Sequence, residues 1–169
     1  MVYIRKSEPQ DWEIIQRILS DAFTIFGGDE PQKVISLVEK LLKEPEEYIS
    51  LIAQMQGQNC GYILFYPTTH EGQLYYILAP IGVLTSFQKK AVGSHLIQSA
   101  LNELPKECVG VLVLGDKYYT RFGFKPCSDY NLKQPFEGTE EHQYFLSYPN
   151  FVQPNQRTTI TYPTAFFDD

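Results

Sequence analysis

Apolar residues in the first third of the chain recur at helical spacing. Ile15, Ile18, Leu19, Ala22 and Phe23 fall on one helix face, and Val34, Leu37, Val38, Leu41 and Leu42 form a second stripe. Each stripe has a start signal. Ser7-Glu8-Pro9-Gln10 reads as a capping box, with Ser7 as the cap, Pro9 in the first turn and Gln10 at the third helical position. Asp29-Glu30-Pro31-Gln32 repeats the signal. Gly27-Gly28 breaks the first helix and Pro45 follows the second. Ahead of both, Val2–Arg5 reads as a short strand.

The period then changes to two. Tyr48–Gln54 and Cys60–Tyr66 are rich in aromatic and β-branched residues and flank Gln56-Gly57-Gln58-Asn59, a hairpin signature. Leu74–Leu84 predicts a third strand. Pro80 has no N–H for a ladder and Gly82 no side chain to pack, so the strand is expected to bulge or splay there and free backbone groups for a ligand. Ala91–Leu104 carries Val92, Leu96, Ile97, Ala100, Leu101 and Leu104 on one face, a third helix. Val109–Leu114 is wholly apolar and predicts a buried strand. Asp116 is placed to cap a short helix, Lys117–Phe122, which Gly123 closes in the left-handed conformation. Phe124 opens another strand, Gln143–Tyr148 predicts one more, and polar connections lead to Thr159–Tyr162. The strand–helix–strand run from Leu74 to Leu114 predicts a right-handed crossover between parallel strands. The fold class is α/β, an α+β mixed sheet with flanking helices. No repeat or linker divides the 169 residues, so a single domain, 1–169, is expected.

Composition narrows the function. With 43% hydrophobic residues the chain can build a core without disulfide or metal staples. Lys and Arg number 14 against 20 Asp and Glu, a net charge of −6, which disfavours a nucleic-acid partner. The only doubled basic pairs are Arg5-Lys6 and Lys89-Lys90, so any anion site is small. Cys60, Cys108 and Cys127 are far apart without CxxC spacing; reduced, buried thiols are expected, with no disulfide framework and no metal site. Met1–Lys6 has no apolar run of the signal-peptide kind, and Leu74–Leu84 is too short to span a bilayer. A soluble cytoplasmic protein with no membrane partner is the expectation.

The loop Thr85–Val92 joins a strand to a helix and carries Lys89-Lys90, followed by Gly93. A helix N-terminus offers unpaired N–H groups and the positive end of the dipole, which suits a pyrophosphate. Solvated surface loops share these features, so the neighbouring residues decide. The stretch Leu78–Leu96, with Ile81-Gly82-Val83 at the strand's end and then Gln88, Ala91 and Gly93, resembles motif A of the GNAT N-acetyltransferase superfamily. There a strand ending in valine leads into a Gln/Arg-x-x-Gly-x-Gly loop and a helix. Leu114-Gly115-Asp116, Tyr118-Tyr119 and Arg121-Phe122-Gly123-Phe124 resemble a later motif of the same superfamily, a tyrosine four residues ahead of a Gly-Phe pair. Together with Thr161-Tyr162-Pro163-Thr164-Ala165-Phe166, they look like a branch of predicted bacterial N-acetyltransferases. One position departs from the pattern: Ala91 stands where the family's loop has glycine.

The resemblance implies a GNAT acyl-CoA N-acyltransferase fold, a mostly antiparallel mixed sheet with a splayed parallel pair. The motif core would span about 74–125 and a C-terminal extension about 126–169. It implies acetyl-CoA as co-substrate, no metal, an amine acceptor on a small molecule or peptide, and allows a homodimer. The pantetheine arm would pair with Ile81, Gly82 and Val83 by strand addition. The pyrophosphate would sit on the N–H groups of Gln88, Lys89, Lys90, Ala91, Val92, Gly93 and Ser94. A backbone N–H near Ile81–Val83 would hold the developing oxyanion, and Tyr119 would protonate the departing thiolate. Tyr119 is otherwise one of 12 tyrosines and a packing residue. Tyr118 is expected beneath the cofactor, His95 on the helix surface, Asp116 as a cap and Trp12 in the packing of the first helix. His95, Asp116 and Glu71 are the candidates for the base, Glu71 being expected to be solvated beside turn residues; none is assigned, and a water relay of the proton is the alternative. The competing reading is a CoA-binding sensor or scaffold without catalysis, which Ala91 and the lack of an obvious base support; a domain without cofactor is the third.

Overall fold

Local sequence decides most elements of the structure, a computed structural model that describes residues 1–167. In chain order these are β1 (Tyr3–Lys6), α1 (Trp12–Ala22), α2 (Glu30–Lys43), β2 (Ile49–Met55), β3 (Gln58–His70), β4 (Gln73–Val83), α3 (Val92–Asn102), β5 (Cys108–Leu114), β6 (Lys125–Pro126), β7 (Leu132–Lys133), β8 (Gln143–Ser147) and β9 (Thr158–Thr159). Seven strands form one mixed sheet in the order β1-β2-β3-β4-β5-β8-β6, and β7 pairs in parallel with β9. The α/β class and the mixed sheet are as the sequence predicts. The chain groups into two compact units, through both of which β3 and β4 run. One holds Met1–Phe65, Pro80–Leu104 and the residues from Ala165, the other Tyr66–Ala79 and Pro105–Thr164. Asp168 and Asp169, the end of the expected C-terminal extension, lie outside the described residues.

In the first unit, β1 and β3 flank β2 in antiparallel register. The β2–β3 turn places Gln56 at φ 53° and Gly57 at φ 75°, the two consecutive left-handed residues that a tight hairpin needs. α1 buries Ile15, Ile18 and Leu19, and α3 buries Val92, Leu96, Ile97 and Ala100. The buried face of α2 is Ile35, Val38 and Leu41, so Ile35 joins the core and Val34, Leu37 and Leu42 lie at its margin. α3 packs so close to β3 that a Cβ on Gly61 would lie 2.9 Å from Leu96 Cδ1.

The first helix start differs from the sequence expectation. A 3-10 turn over Pro9–Asp11 leads into α1; its capping residue is Glu8, not Ser7, and its reciprocal partner is Asp11, not Gln10. The Glu8 N–H donates to Asp11 Oδ2 at 2.7 Å. Arg5, on β1, donates to both Asp11 oxygens at 2.8 and 3.0 Å and fixes that carboxylate in place. The Ser7 hydroxyl turns instead to Ser50 Oγ at 2.6 Å, which lies 2.7 Å from the buried Tyr62 hydroxyl.

In the second unit, β4 and β5 run parallel from Leu74↔Cys108 to Leu78↔Val113, as the crossover argument predicts. Their pairing ends there, although β4 continues to Val83. The strands thus part just before Pro80, while the irregular register falls earlier, between Leu74 and Tyr75. β8 pairs antiparallel with β5 and β6. Tyr75, Tyr130 and Phe151 cluster with Phe145 of β8 in tilted and edge-to-face pairs. A buried amide network ties in the C-terminal segment. The Gln134 N–H donates to Gln143 Oε1 at 2.7 Å, Gln134 Nε2 to the Val113 carbonyl at 2.8 Å, and the Tyr162 hydroxyl to Gln134 Oε1 at 3.0 Å. The strand expected over Thr159–Tyr162 is therefore only Thr158–Thr159; beyond it the side chains of Ile160 and Tyr162 turn into the core. Among the described residues no helix is long and apolar enough to cross a membrane.

Candidate active site

Ile81, Gly82 and Val83 are the last residues of β4. A Cβ on Gly82 would lie 3.1 Å from Ala22 Cβ and 3.3 Å from Leu19 Cδ2, so this glycine lets α1 close down on the strand. Beyond Val83 the chain is pinned three times. The Leu84 N–H donates to the Cys60 carbonyl at 2.8 Å. The Thr85 N–H donates to Asp21 Oδ2 at 2.7 Å, with Thr85 Oγ1 3.4 Å from Asp21 Oδ1. Phe87 is buried, and Gln88 Nε2 reaches back to the Val83 carbonyl at 3.2 Å. Asp21 is a residue the sequence did not mark: it sits on the polar side of α1, 64 positions from its partner.

The loop itself is conformationally unusual. Lys89 and Ala91 have φ of 63° and 66°, the left-handed region that non-glycine residues rarely enter. Ala91 is the capping position of α3. Its carbonyl accepts the His95 N–H at 3.1 Å and His95 Nδ1 at 2.8 Å, so the ring carries its proton on Nδ1 and stays on the exposed face, as expected. Left-handed residues set into such a turn gather successive backbone N–H groups into an anion-binding concavity. α3 opens at Val92 and Gly93, which stand at the positive end of its dipole. The Lys89 and Lys90 side chains are exposed, with Lys90 Nζ 5.6 Å over the Phe87 ring. The local geometry suits a phosphate group held by backbone.

The second unit carries Tyr119. Asp116 Oδ1 accepts the Tyr118 N–H at 2.9 Å and starts a 3-10 helix over Lys117–Phe122, which Gly123 closes at φ 97°. Asp116 is thus the predicted cap. Gly115 has a steric role: a Cβ there would lie 2.5 Å from Tyr119 Cε2. The Tyr119 ring stands edge-on to Tyr118 and Phe124, with centroids 5.6 and 5.7 Å away. Burial, reinforced by the Asp116 charge, pushes its hydroxyl up to about 12. Tyr119 therefore holds its proton at neutral pH. Tyr118 packs against Phe122 and lies under the Arg121 guanidinium at 4.0 Å.

Glu71 occupies the β3–β4 turn, at the end of β4 opposite to Ile81–Val83. Its Oε1 accepts the Thr158 hydroxyl at 3.2 Å and lies 3.5 Å from His70 Nε2, so it helps fasten the C-terminal segment. All three cysteines are free and buried. Burial pushes Cys108 up to about 11 and Cys127 to about 12, and Cys60 also upward, which makes all three poor nucleophiles. Among the described residues no group of three or more His, Cys, Asp or Glu is placed to hold a metal ion.

Mixed sheet, parting parallel strands and N–H-lined helix start make up the architecture that the sequence motifs imply. The chain belongs to the acetyltransferase (GNAT) family, whose model matches residues 12–124. It is 37% identical over 145 residues to the uncharacterized N-acetyltransferase YjhQ of Escherichia coli K12, an alignment covering 82% of this chain and 76% of that one. With YhbS, another uncharacterized N-acetyltransferase of that strain, it shares 28% identity over 81% of each chain. The crystal structure of E. coli YhbS in complex with CoA matches the fold at a TM-score of 0.85 and 24% identity, covering 99% of this chain and 92% of that one. A GNAT acetyltransferase from Brucella melitensis, solved with acetyl-CoA, matches at 0.77 and 28% identity over 98% of both chains.

Proposed function

We propose that the protein is an acetyl-CoA-dependent N-acetyltransferase that moves the acetyl group directly to a primary amine. The observation that carries this reading is the left-handed Lys89 and Ala91 backbone opening α3, an anion cradle at the place in the chain where the family's motif calls for one. In this reading the N–H groups of Gln88–Ser94 bind the pyrophosphate, and Lys89 and Lys90 add screened surface charge. The end of β4, Ile81–Val83, takes the pantetheine arm by backbone pairing, and a backbone N–H there steadies the oxyanion. The amine nitrogen forms the new C–N bond and the thioester C–S bond breaks. Tyr119 gives its proton to the departing sulfur, and the proton lost by the amine returns to Tyr119 through water. Support for direct attack comes from the buried, high-pKa thiols, which offer no acyl-accepting nucleophile.

The acceptor is a small amine or a peptide amine, and the net charge of −6 favours a cationic one by raising its local concentration. A thiol-release screen of the protein with acetyl-CoA across polyamines, aminoglycosides, amino acids and peptides tests the proposal. At least one amine should raise thiol release well above the amine-free rate. Tight acetyl-CoA binding with no amine-dependent release across the panel would instead favour a sensor.

A further inference from the structure

Within the first unit, a cavity of about 260 Å³ lies where the start of α1, the end of α2 and the chain entering β2 meet. It is at the small end of ligand-pocket sizes, which run from roughly 300 Å³ upward. Trp12 and Tyr48 supply aromatic faces, Ile15 and Leu42 aliphatic ones, and Glu8 and Glu39 the carboxylates. Lys43 offsets part of that charge: its Nζ lies 4.0 Å from Glu39 Oε2, on a side chain that is 74% exposed. The Glu8 carboxylate accepts the Gln10 side-chain amide at 2.7 Å. Ser7, also in the wall, ends the buried hydroxyl chain from Tyr62 through Ser50. The Glu8 backbone in the wall is held in place, its N–H donating to Asp11 Oδ2 at 2.7 Å. The wall lies at the first turns of α1, whereas Asp21, which pins the loop at Thr85, lies in its last turn. Trp12 and Asp21 lie about 14 Å apart along the axis of α1.

We propose that this cavity binds a small organic cation, an ammonium or quaternary ammonium group on an apolar body, at a site separate from acetyl transfer. Aromatic faces attract a cation through the ring quadrupole, and the two carboxylates complete the charge match. All three charged groups reach solvent, and two carboxylates against one lysine leave the wall with a net charge that disfavours an anion. The inference does not depend on the proposed activity, since it concerns binding alone.

Trp12 is the only tryptophan in the chain, so its fluorescence reports on the cavity. The probe is benzyltrimethylammonium, which has no N–H and cannot be acetylated. Titration should change the tryptophan emission saturably, and saturating CoA should leave the midpoint unchanged. Glu39→Gln, with a thermal melt matching the parent, should weaken binding about threefold. Three results would each overturn the proposal: no saturable change up to about 10 mM, an equal response to benzenesulfonate, or displacement of the probe by CoA. An unchanged midpoint in Glu39→Gln would remove the charge match on which the ligand class rests.

Discussion

At Tyr119, burial does two things at once. It raises the hydroxyl to about 12, so the proton is present at every working pH, and it makes the ring part of an aromatic cluster with Tyr118 and Phe124. Tyr119→Phe separates the two. It keeps the ring, so acetyl-CoA affinity should hold, while turnover falls by roughly 10², the low end for a general acid because a thiolate leaves readily. A rate at saturating acetyl-CoA beside a binding titration reads both; equal losses in the two would make Tyr119 a packing residue. Ala91 offers the complementary test. An L-residue at φ 66° carries a cost of about 1 kcal/mol that glycine avoids. Ala91 is also the capping position, outside the helix interior, where glycine is preferred to alanine. Ala91→Gly should therefore stabilise the fold by up to about 1 kcal/mol in denaturant unfolding, with CoA binding in calorimetric titration at least as tight as the parent's. Weaker binding would show that the loop is already fitted to alanine.

Between elements, the contact that positions the loop is Asp21 on α1 holding the Thr85 N–H. A hydrogen bond to a charged group contributes about 1.5–3 kcal/mol, less at an exposed site such as this one, so Asp21→Ala should weaken CoA binding by up to roughly tenfold. Affinity equal to the parent's would show that the loop holds its shape without α1. The start of α1 makes a second, pH-dependent contact. Arg5's hydrogen bond holds the Asp11 carboxyl below its usual value, helped by the Glu8 N–H and opposed by desolvation. A depressed carboxylate pKa contributes stability above the unfolded value, near pH 4, and that contribution is lost as pH falls through the folded value. Asp11→Asn should melt lower than the parent at pH 7. The difference should shrink below about pH 4, as thermal melts across that range would show. A constant difference would mean that the pair does not titrate with folding.

The sequence was most legible where one segment carries its whole argument. Asp116 and Gly123 start and close their short helix because cap and left-handed stop lie within eight residues of each other. The parallel β4–β5 pair followed from chain order alone. Contacts between distant residues left no such trace. Asp21 to Thr85 and Gln134 to Tyr162 are polar pairings that neither hydrophobic period nor turn chemistry encodes. Ser7 satisfied the capping pattern, yet the hydroxyl of Ser50 on β2 won it. The motif loop was found as a pattern, but its left-handed Ala91 required coordinates.

For the molecule as a whole, the central claim is direct transfer from thioester to amine. Support for it comes from the left-handed Lys89 and Ala91 backbone at the start of α3, the protonated Tyr119 and thiols too buried to accept an acyl group. Ligand binding to the folded state alone should stabilise the protein by about 2.7 kcal/mol at CoA a hundredfold above its dissociation constant. Binding, however, does not distinguish transferase from sensor. The most direct measurement uses acetyl-CoA labelled in the acetyl group, mixed with the protein and the amine selected by thiol release, and followed by mass spectrometry of both amine and protein. The label should appear on the amine nitrogen in step with free thiol, with none on the protein at any time. Label passing through a protein side chain, or thiol release that yields only free acetate, would contradict direct transfer.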